Sequence, residues 1–114
     1  MEIKIPCKTK RDYYNNWLLF LNPILHLREQ TELPVLAALL LLYDNHKDYE
    51  ENTLYELLFS EDTKLALRLK LGFSERSFNK SFRALEVKGL IVDGKLNKKI
   101  LPNKKLNISF EQVG

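Results

Sequence analysis

Cysteine is almost absent from this sequence, and its scarcity excludes several kinds of site. Cys7 is the only cysteine among the 114 residues, so the chain can form no internal disulfide and no zinc site built from several cysteines. Long apolar runs are absent too. The longest, residues 35–43, has nine residues, whereas a helix that crosses a bilayer needs about twenty. The sequence therefore predicts a protein of a reducing compartment that does not enter a membrane.

Recognisable catalytic and targeting motifs are also missing. Residues 1–12 contain no apolar segment behind a basic one, so we expect no signal peptide and a cytoplasmic location, in a bacterium or in the host of a phage. The two histidines, His26 and His46, lie far apart and outside any nucleophile or metal motif. No phosphate-binding glycine loop or calcium-loop pattern occurs. We therefore expect no enzymatic activity, no cofactor and no metal.

Charge is present in quantity and is unevenly distributed. The net charge is only +3, but residues 64–105 carry twelve Lys or Arg against three acids. Residues 41–63 carry one Lys against seven acids. A basic half and an acidic half in one small domain suggest one side that faces a polyanion and one that faces away from it.

Apolar spacing predicts a mainly helical chain. Residues 11–21 are predicted as a helix that is interrupted at Asn22-Pro23, because residues before proline avoid the helical region, and Ile24, Leu25 and Leu27 continue in a short helical turn or an extended segment. Residues 31–45 are predicted as the central helix, since residues 35–43 are apolar on every face. Two shorter helices follow at 53–59 and 60–71, the second with Leu65 and Leu69 directed to the core.

Residues 72–90 predict a glycine-bearing turn followed by a basic amphipathic helix. Ser74 suits the N-cap and Gly89 the C-cap. Phe78 and Phe82 supply part of a buried face at helical spacing. The opposite face carries donors that suit phosphates and base edges, namely Arg76, Asn79, Lys80 and Arg83.

A β-hairpin is predicted after this helix. Residues 90–92 are rich in β-branched side chains, Asp93-Gly94 is a turn signal, and residues 106–110 alternate apolar and polar. We expect these two strands to enclose a lysine-rich loop, or wing, with Ile100 and Leu101 against the core or in a third short strand. A weaker alternation at the start of the chain suggests a short strand ended by Pro6. The wing lysines are Lys95, Lys98, Lys99, Lys104 and Lys105.

The order of helix, turn, basic helix and hairpin resembles a winged helix-turn-helix domain, which is mainly α with a small antiparallel β-hairpin (α+β). Residues 27–36 resemble the start of the core helix of MarR-type transcription regulators. Residues 77–78, Leu85 and residues 88–91 are similar to the end of their recognition helix and the entry to the wing. The resemblance covers about residues 27–110. Three segments, at 22–25, 58–60 and 101–103, also resemble small winged-helix proteins of tailed phages.

The resemblance implies a transcription regulator that binds double-stranded DNA. Helix 74–89 would enter the major groove, with Arg76 pairing with guanine and Asn79 with adenine, and the wing 94–105 would contact phosphates. Residues 27–114 would form this domain. Residues 1–26 would be an arm that packs on it or forms a homodimer, and the residues that would make the dimer contact are Trp17 and Phe20.

Two other interpretations stay open at this level. The basic helix could be an ordinary solvated face and the wing a charged hairpin edge that resists aggregation. The protein could instead be a non-enzymatic adaptor of a polymerase or replication complex, with the acidic residues 44–62 as an interface for a basic partner. Salt-sensitive binding to duplex DNA separates the DNA-binding interpretation from both.

Overall fold

The computed structural model of the protein describes residues 3–7, 10–100 and 108–112, with side chains within 13–100. This part of the chain is mainly α with a small antiparallel β-hairpin, as predicted, and the architecture is compatible with a winged helix. None of its helices is long and apolar enough to cross a membrane. The helices are α1 (Lys10–Leu25), α2 (Glu32–Asn45), α3 (Glu51–Leu58), α4 (Glu61–Leu71) and α5 (Glu75–Val87). The strands are β1 (Ile3–Cys7), β2 (Ile91–Val92), β3 (Lys95–Leu96) and β4 (Ile108–Gln112), with a short 3-10 turn at Lys98–Ile100.

Helix α2 lies at the centre of the fold. Val35, Leu36, Leu39 and Leu40 on this helix are fully buried, because α1, α3, α4 and α5 all pack against it. The prediction of a buried central helix from residues 35–43 is confirmed. A helix without a polar face gains stability only when other elements cover it on every side, and four neighbouring helices do so here.

Helix α1 is longer than predicted. The expected break at Asn22-Pro23 is wrong, because α1 continues through Pro23 to Leu25. Proline has no N–H and so removes one helical hydrogen bond. The loss is small here because Pro23 lies in the last turn of α1. The Asn22 side chain then closes the helix: its Oδ1 accepts from the Leu27 N–H at 2.7 Å and its Nδ2 donates to the Leu27 carbonyl at 3.2 Å. His26 adopts a left-handed conformation, with φ 56°, which ends the helix.

Helices α4 and α5 form the predicted helix, turn and basic helix. The Ser74 hydroxyl accepts from the Ser77 N–H at 3.1 Å, which confirms the predicted N-cap. Gly72 ends α4 in a left-handed conformation, with φ 74°. The prediction for α4's inner face is wrong: Leu65 and Leu69 are 48% and 65% exposed, and Leu67 is buried. Leucines two positions apart lie on opposite sides of a helix, so α4 offered two apolar faces and only one packs inward.

The hairpin is much shorter than the predicted wing. Strand β2 pairs with β3 immediately after a two-residue turn, in which Asp93 and Gly94 both have positive φ, the geometry of a tight hairpin turn. The expected pairing of residues 90–92 with 106–110 is wrong, because β4 pairs in parallel with β1 instead. The predicted first strand is confirmed, although Pro6 lies inside it rather than at its end.

Ile100 is buried, as expected, and the reason is a long-range hydrogen bond, while Leu101 lies outside the described residues. The Trp17 indole Nε1 on α1 donates to the Ile100 carbonyl at 2.6 Å. This bond ties the 3-10 turn that follows the hairpin to the first helix. The hairpin is therefore fixed at both ends, since Asn97 also donates to the Gly89 carbonyl at 2.9 Å, just beyond α5.

Candidate nucleic-acid interface

Helix α5 has one buried face and one basic face. At 100° per residue, Arg76, Lys80 and Arg83 fall within an arc of roughly 60°. That arc lies opposite Phe78 and Leu85, which are buried in the core. All three cations are exposed. We call these three side chains the basic stripe of α5.

The cations of the basic stripe have no internal partner among the residues that the structure describes. Four lysines elsewhere in the described part of the chain form ion pairs with carboxylates, whereas no cation of the stripe does so. A cation held by an internal carboxylate must break that contact to meet an external anion, and a solvated one need not. The stripe can therefore receive an anion without breaking an ion pair to any described residue. The paired lysines are Lys47, Lys64, Lys88 and Lys95.

Asn79 lies beside the stripe rather than within it. It lines a groove of about 500 Å³ between α4 and α5. Arg68 of α4 lines the same groove, and Phe78 contributes an apolar part of its wall. Sequence analysis did not select Arg68, because α4 was expected to show only its inner leucines and its cap. Arg68 adds a cation from α4 to this groove, which Lys64 and the acids Glu61 and Glu75 also line. The basic residues that alternate with leucines along α4 are the signal that could have identified Arg68.

The predicted wing lysines differ in their surroundings. Lys95 lies 3.8 Å from Glu51 of α3, so an acid offsets its charge. Lys98 and Lys99 are exposed, on the turn that the Trp17 bond ties to α1. Two further predicted site residues, Lys104 and Lys105, lie outside the described residues.

The carboxyl end of α5 is held by a buried ion pair that sequence analysis missed. Glu32 of α2 is 5% exposed. The Lys88 ammonium donates to Glu32 and, at 2.8 Å, to the His26 carbonyl. Burial alone would raise the pKa of Glu32. Hydrogen bonds from the Lys88 ammonium and the Arg28 backbone N–H, together with the positive charges of Lys88 and Arg28, instead hold this pKa below its usual value. The pair fixes α5 against the junction of α1 and α2, and so fixes the direction of the stripe.

The acidic region holds structural carboxylates and no metal cluster. Glu50 caps α3, accepting from the N–H groups of Asn52 and Thr53, and these hydrogen bonds lower its pKa. Asp44 is bridged by Lys47 at 3.6 Å. Within the described ranges, no group of three or more His, Cys, Asp or Glu side chains could hold an ion.

The predicted dimer contact through Trp17 is wrong. Trp17 is 1% exposed, and its indole is already hydrogen-bonded inside the fold. Phe20, the other predicted contact, is 55% exposed and stacks on Trp17 with ring centroids 6.0 Å apart. When apolar residues lie on both sides of a helix, the sequence does not show which of its aromatic side chains faces the core.

The order of α4, a three-residue turn and α5, followed by a hairpin, is compatible with a helix-turn-helix that has a short wing. Comparison with family models, with curated proteins and with solved structures gives no match. The helix-turn-helix interpretation therefore depends on element order and on the basic stripe.

Proposed function

We propose that the protein binds double-stranded DNA through α5 and acts as a transcription regulator. The basic stripe carries the proposal: Arg76, Lys80 and Arg83 lie on one face, are exposed, and form no ion pair with any described residue. An α-helix about 10–12 Å across fits a major groove about 12 Å wide. The opposite face of α5 is anchored in the core, so the helix can be presented as a rigid element.

The residues of α5 would divide between base edges and backbone. Arg76 lies in the first turn, the part of a recognition helix that meets base edges, and its guanidinium suits the two acceptors of guanine. The Asn79 amide suits adenine. Lys80 and Arg83 lie farther along the same face and would contact phosphates, which hold the helix in register.

The short hairpin lowers the expected number of phosphate contacts. Lys95 is paired with Glu51, so it would contribute less than a free lysine. Lys80, Arg83, Lys98 and Lys99 remain as exposed candidates. Four neutralised phosphates correspond to a log–log slope of affinity against salt of about −3.6.

A fluorescence-anisotropy titration of duplex DNA at several salt concentrations tests the proposal. The double variant Lys80→Gln/Arg83→Gln should weaken binding to all sequences and reduce the salt slope by about 2, since each lost phosphate contact removes about 1. The matched control is Lys47→Gln, an exposed lysine paired with Asp44 near the acidic α3. Absence of binding at low salt, or equal loss in the control, would contradict the proposal.

A second candidate is a non-enzymatic adaptor of a polymerase or replication complex. Its support is the exposed acids of α3, Glu51 and Glu56, beside a shallow groove of about 390 Å³ between α3 and the hairpin turn. An adaptor of this kind would show no salt-sensitive affinity for duplex DNA. Charge reversal at Glu56 would instead abolish binding to a basic partner protein.

A further inference from the structure

The carboxyl end of α5 is tied to two separate segments of the chain by one side chain. The Lys88 ammonium donates to the Glu32 carboxylate at the start of α2 and, at 2.8 Å, to the His26 carbonyl just beyond α1. These contacts join residues that are 56 and 62 positions apart in the sequence. We call Glu32, Lys88 and the His26 carbonyl the clasp of α5.

The two acceptors of the clasp are themselves held in place. His26 presents its carbonyl from a left-handed backbone, with φ 56°, a conformation that a residue with a side chain keeps only when its surroundings require it. The Asn22 side chain meets that requirement by bonding both the N–H and the carbonyl of Leu27. The Glu32 side chain is 7% exposed and accepts from the Arg28 N–H at 3.3 Å. The clasp therefore offers the ammonium a preformed site.

The apolar side of α5 anchors the helix in a different way. Phe78, Phe82 and Leu85 are buried, as is Leu90 just beyond the helix. Such contacts hold the helix in the core, but the hydrophobic effect that drives them is non-directional. A hydrogen bond depends on angle as well as distance, so the clasp restrains the tilt of α5 more sharply than the apolar side does.

We propose that Glu32 and Lys88 are positioning residues for DNA binding, because they set the direction in which α5 presents its basic stripe. The inference rests on the proposed function of α5 and adds two residues that do not themselves touch DNA. Stability alone does not require their charges, since neutral residues of similar volume often replace a buried ion pair without loss. A fixed direction does require a directional contact, and the clasp supplies it.

The length of α5 converts a small tilt into a large displacement of the basic stripe. Arg83 lies about 12 Å along the helix from Glu75, the first residue of α5. A tilt of about 5° about this capped end moves Arg83 by about 1 Å, which exceeds the spread of about 0.5 Å in ordinary hydrogen-bond distances. Loss of one phosphate contact then lowers the affinity for DNA about eightfold at about 0.1 M salt and reduces the salt slope by about 0.9.

The charge-neutral double variant Glu32→Gln/Lys88→Met tests the proposal in a fluorescence-anisotropy titration of duplex DNA. It removes one charge of each sign, so the net charge stays at +3, and the new amide oxygen can still accept from the Arg28 N–H. We expect wild-type circular dichroism, about eightfold weaker binding at about 0.1 M salt and a smaller salt slope. The matched control, Asp44→Asn/Lys47→Gln, removes a different ion pair at the same net charge and should bind as the wild type does. Lys88→Arg keeps a cationic donor and should retain most of the affinity.

A second measurement tests the clasp without DNA. Residual dipolar couplings of the backbone N–H groups report the angle between α5 and α2, and no label is needed. In the double variant the couplings of α5 should no longer fit the wild-type orientation, whereas those of α1 and α2 should still fit it.

The two measurements separate this inference from the proposed function. Wild-type DNA affinity in the double variant, an equal loss of affinity in the control, or an unchanged orientation of α5 would each overturn the positioning role. If the wild type itself does not bind duplex DNA at low salt, the proposed function fails, and the couplings alone then support or overturn the clasp as the element that directs α5.

Discussion

Removing Lys88 should destabilise the fold more than removing the charge of its partner Glu32. Lys88→Met leaves a carboxylate whose side chain is 7% exposed, and among the described residues its remaining partners are the Arg28 guanidinium and N–H. A buried charge without its partner costs about 3–5 kcal/mol, and the remaining Arg28 contact reduces the expected cost to about 2–3 kcal/mol. Glu32→Gln instead leaves a lysine that is 31% exposed and can be hydrated. The loss is then about 1–2 kcal/mol after allowance for solvent.

The pH dependence follows from the lowered pKa of Glu32. A carboxylate with a lowered folded-state pKa adds stability that is fully present above its ordinary value of 4.5 and is lost as pH falls through the folded-state pKa. Glu32→Gln should therefore lose less stability than the wild type on acidification through this range. The cost of Lys88→Met should shrink over the same range, because a protonated Glu32 no longer needs a cation.

Urea denaturation followed by circular dichroism, at about pH 7 and about pH 4, measures both effects. The double variant Glu32→Gln/Lys88→Met completes a thermodynamic cycle and should be more stable than Lys88→Met alone. A reversed order of the two single variants at neutral pH would refute the reasoning from burial. A pH response that is identical in wild type and Glu32→Gln would refute the role of the Glu32 charge.

Three further substitutions test local features by urea denaturation. Trp17→Phe removes the donor to Ile100 and leaves a buried carbonyl unpaired, so it should cost about 1–3 kcal/mol. Gly94→Ala should cost about 1–2 kcal/mol from backbone strain alone, since φ is +70° and an added Cβ meets open space; a neutral result would contradict the tight-turn geometry. Ser74→Ala should cost about 1 kcal/mol and Ser74→Asp should restore most of it, because either oxygen can accept from Ser77.

The helices were predictable because each depends on local signals. Ser74 is both a sequence signal and an observed cap. The apolar run at 35–43 predicts a buried helix whichever of its sides faces the core. The inner face of α4 was not predictable in this way. Two pairs of leucines, at 65/69 and 67/71, are four residues apart on opposite sides of α4. Only the position of α2 determines which pair is buried.

Strand pairing depends on distant parts of the chain and was predicted poorly. Residues 106–110 have the alternation of a strand, but alternation does not name the partner, and β4 pairs with β1 from the start of the chain. The Glu32–Lys88 pair joins residues 56 positions apart, and no local pattern identifies it. The basic stripe was predictable because all three of its residues lie on one helix.

The Trp17–Ile100 hydrogen bond makes the chain's single tryptophan a natural spectroscopic reporter. The bond closes a loop of 83 positions, so it can form only after distant segments have met, and loop closure on that scale carries an entropic cost. Because Trp17 is the only residue of its type and α1 packs against α2, its emission reports the burial of α1 in the core together with the contact to Ile100. Stopped-flow fluorescence would therefore follow the formation of this core, while far-ultraviolet circular dichroism would follow the helices, without any added label.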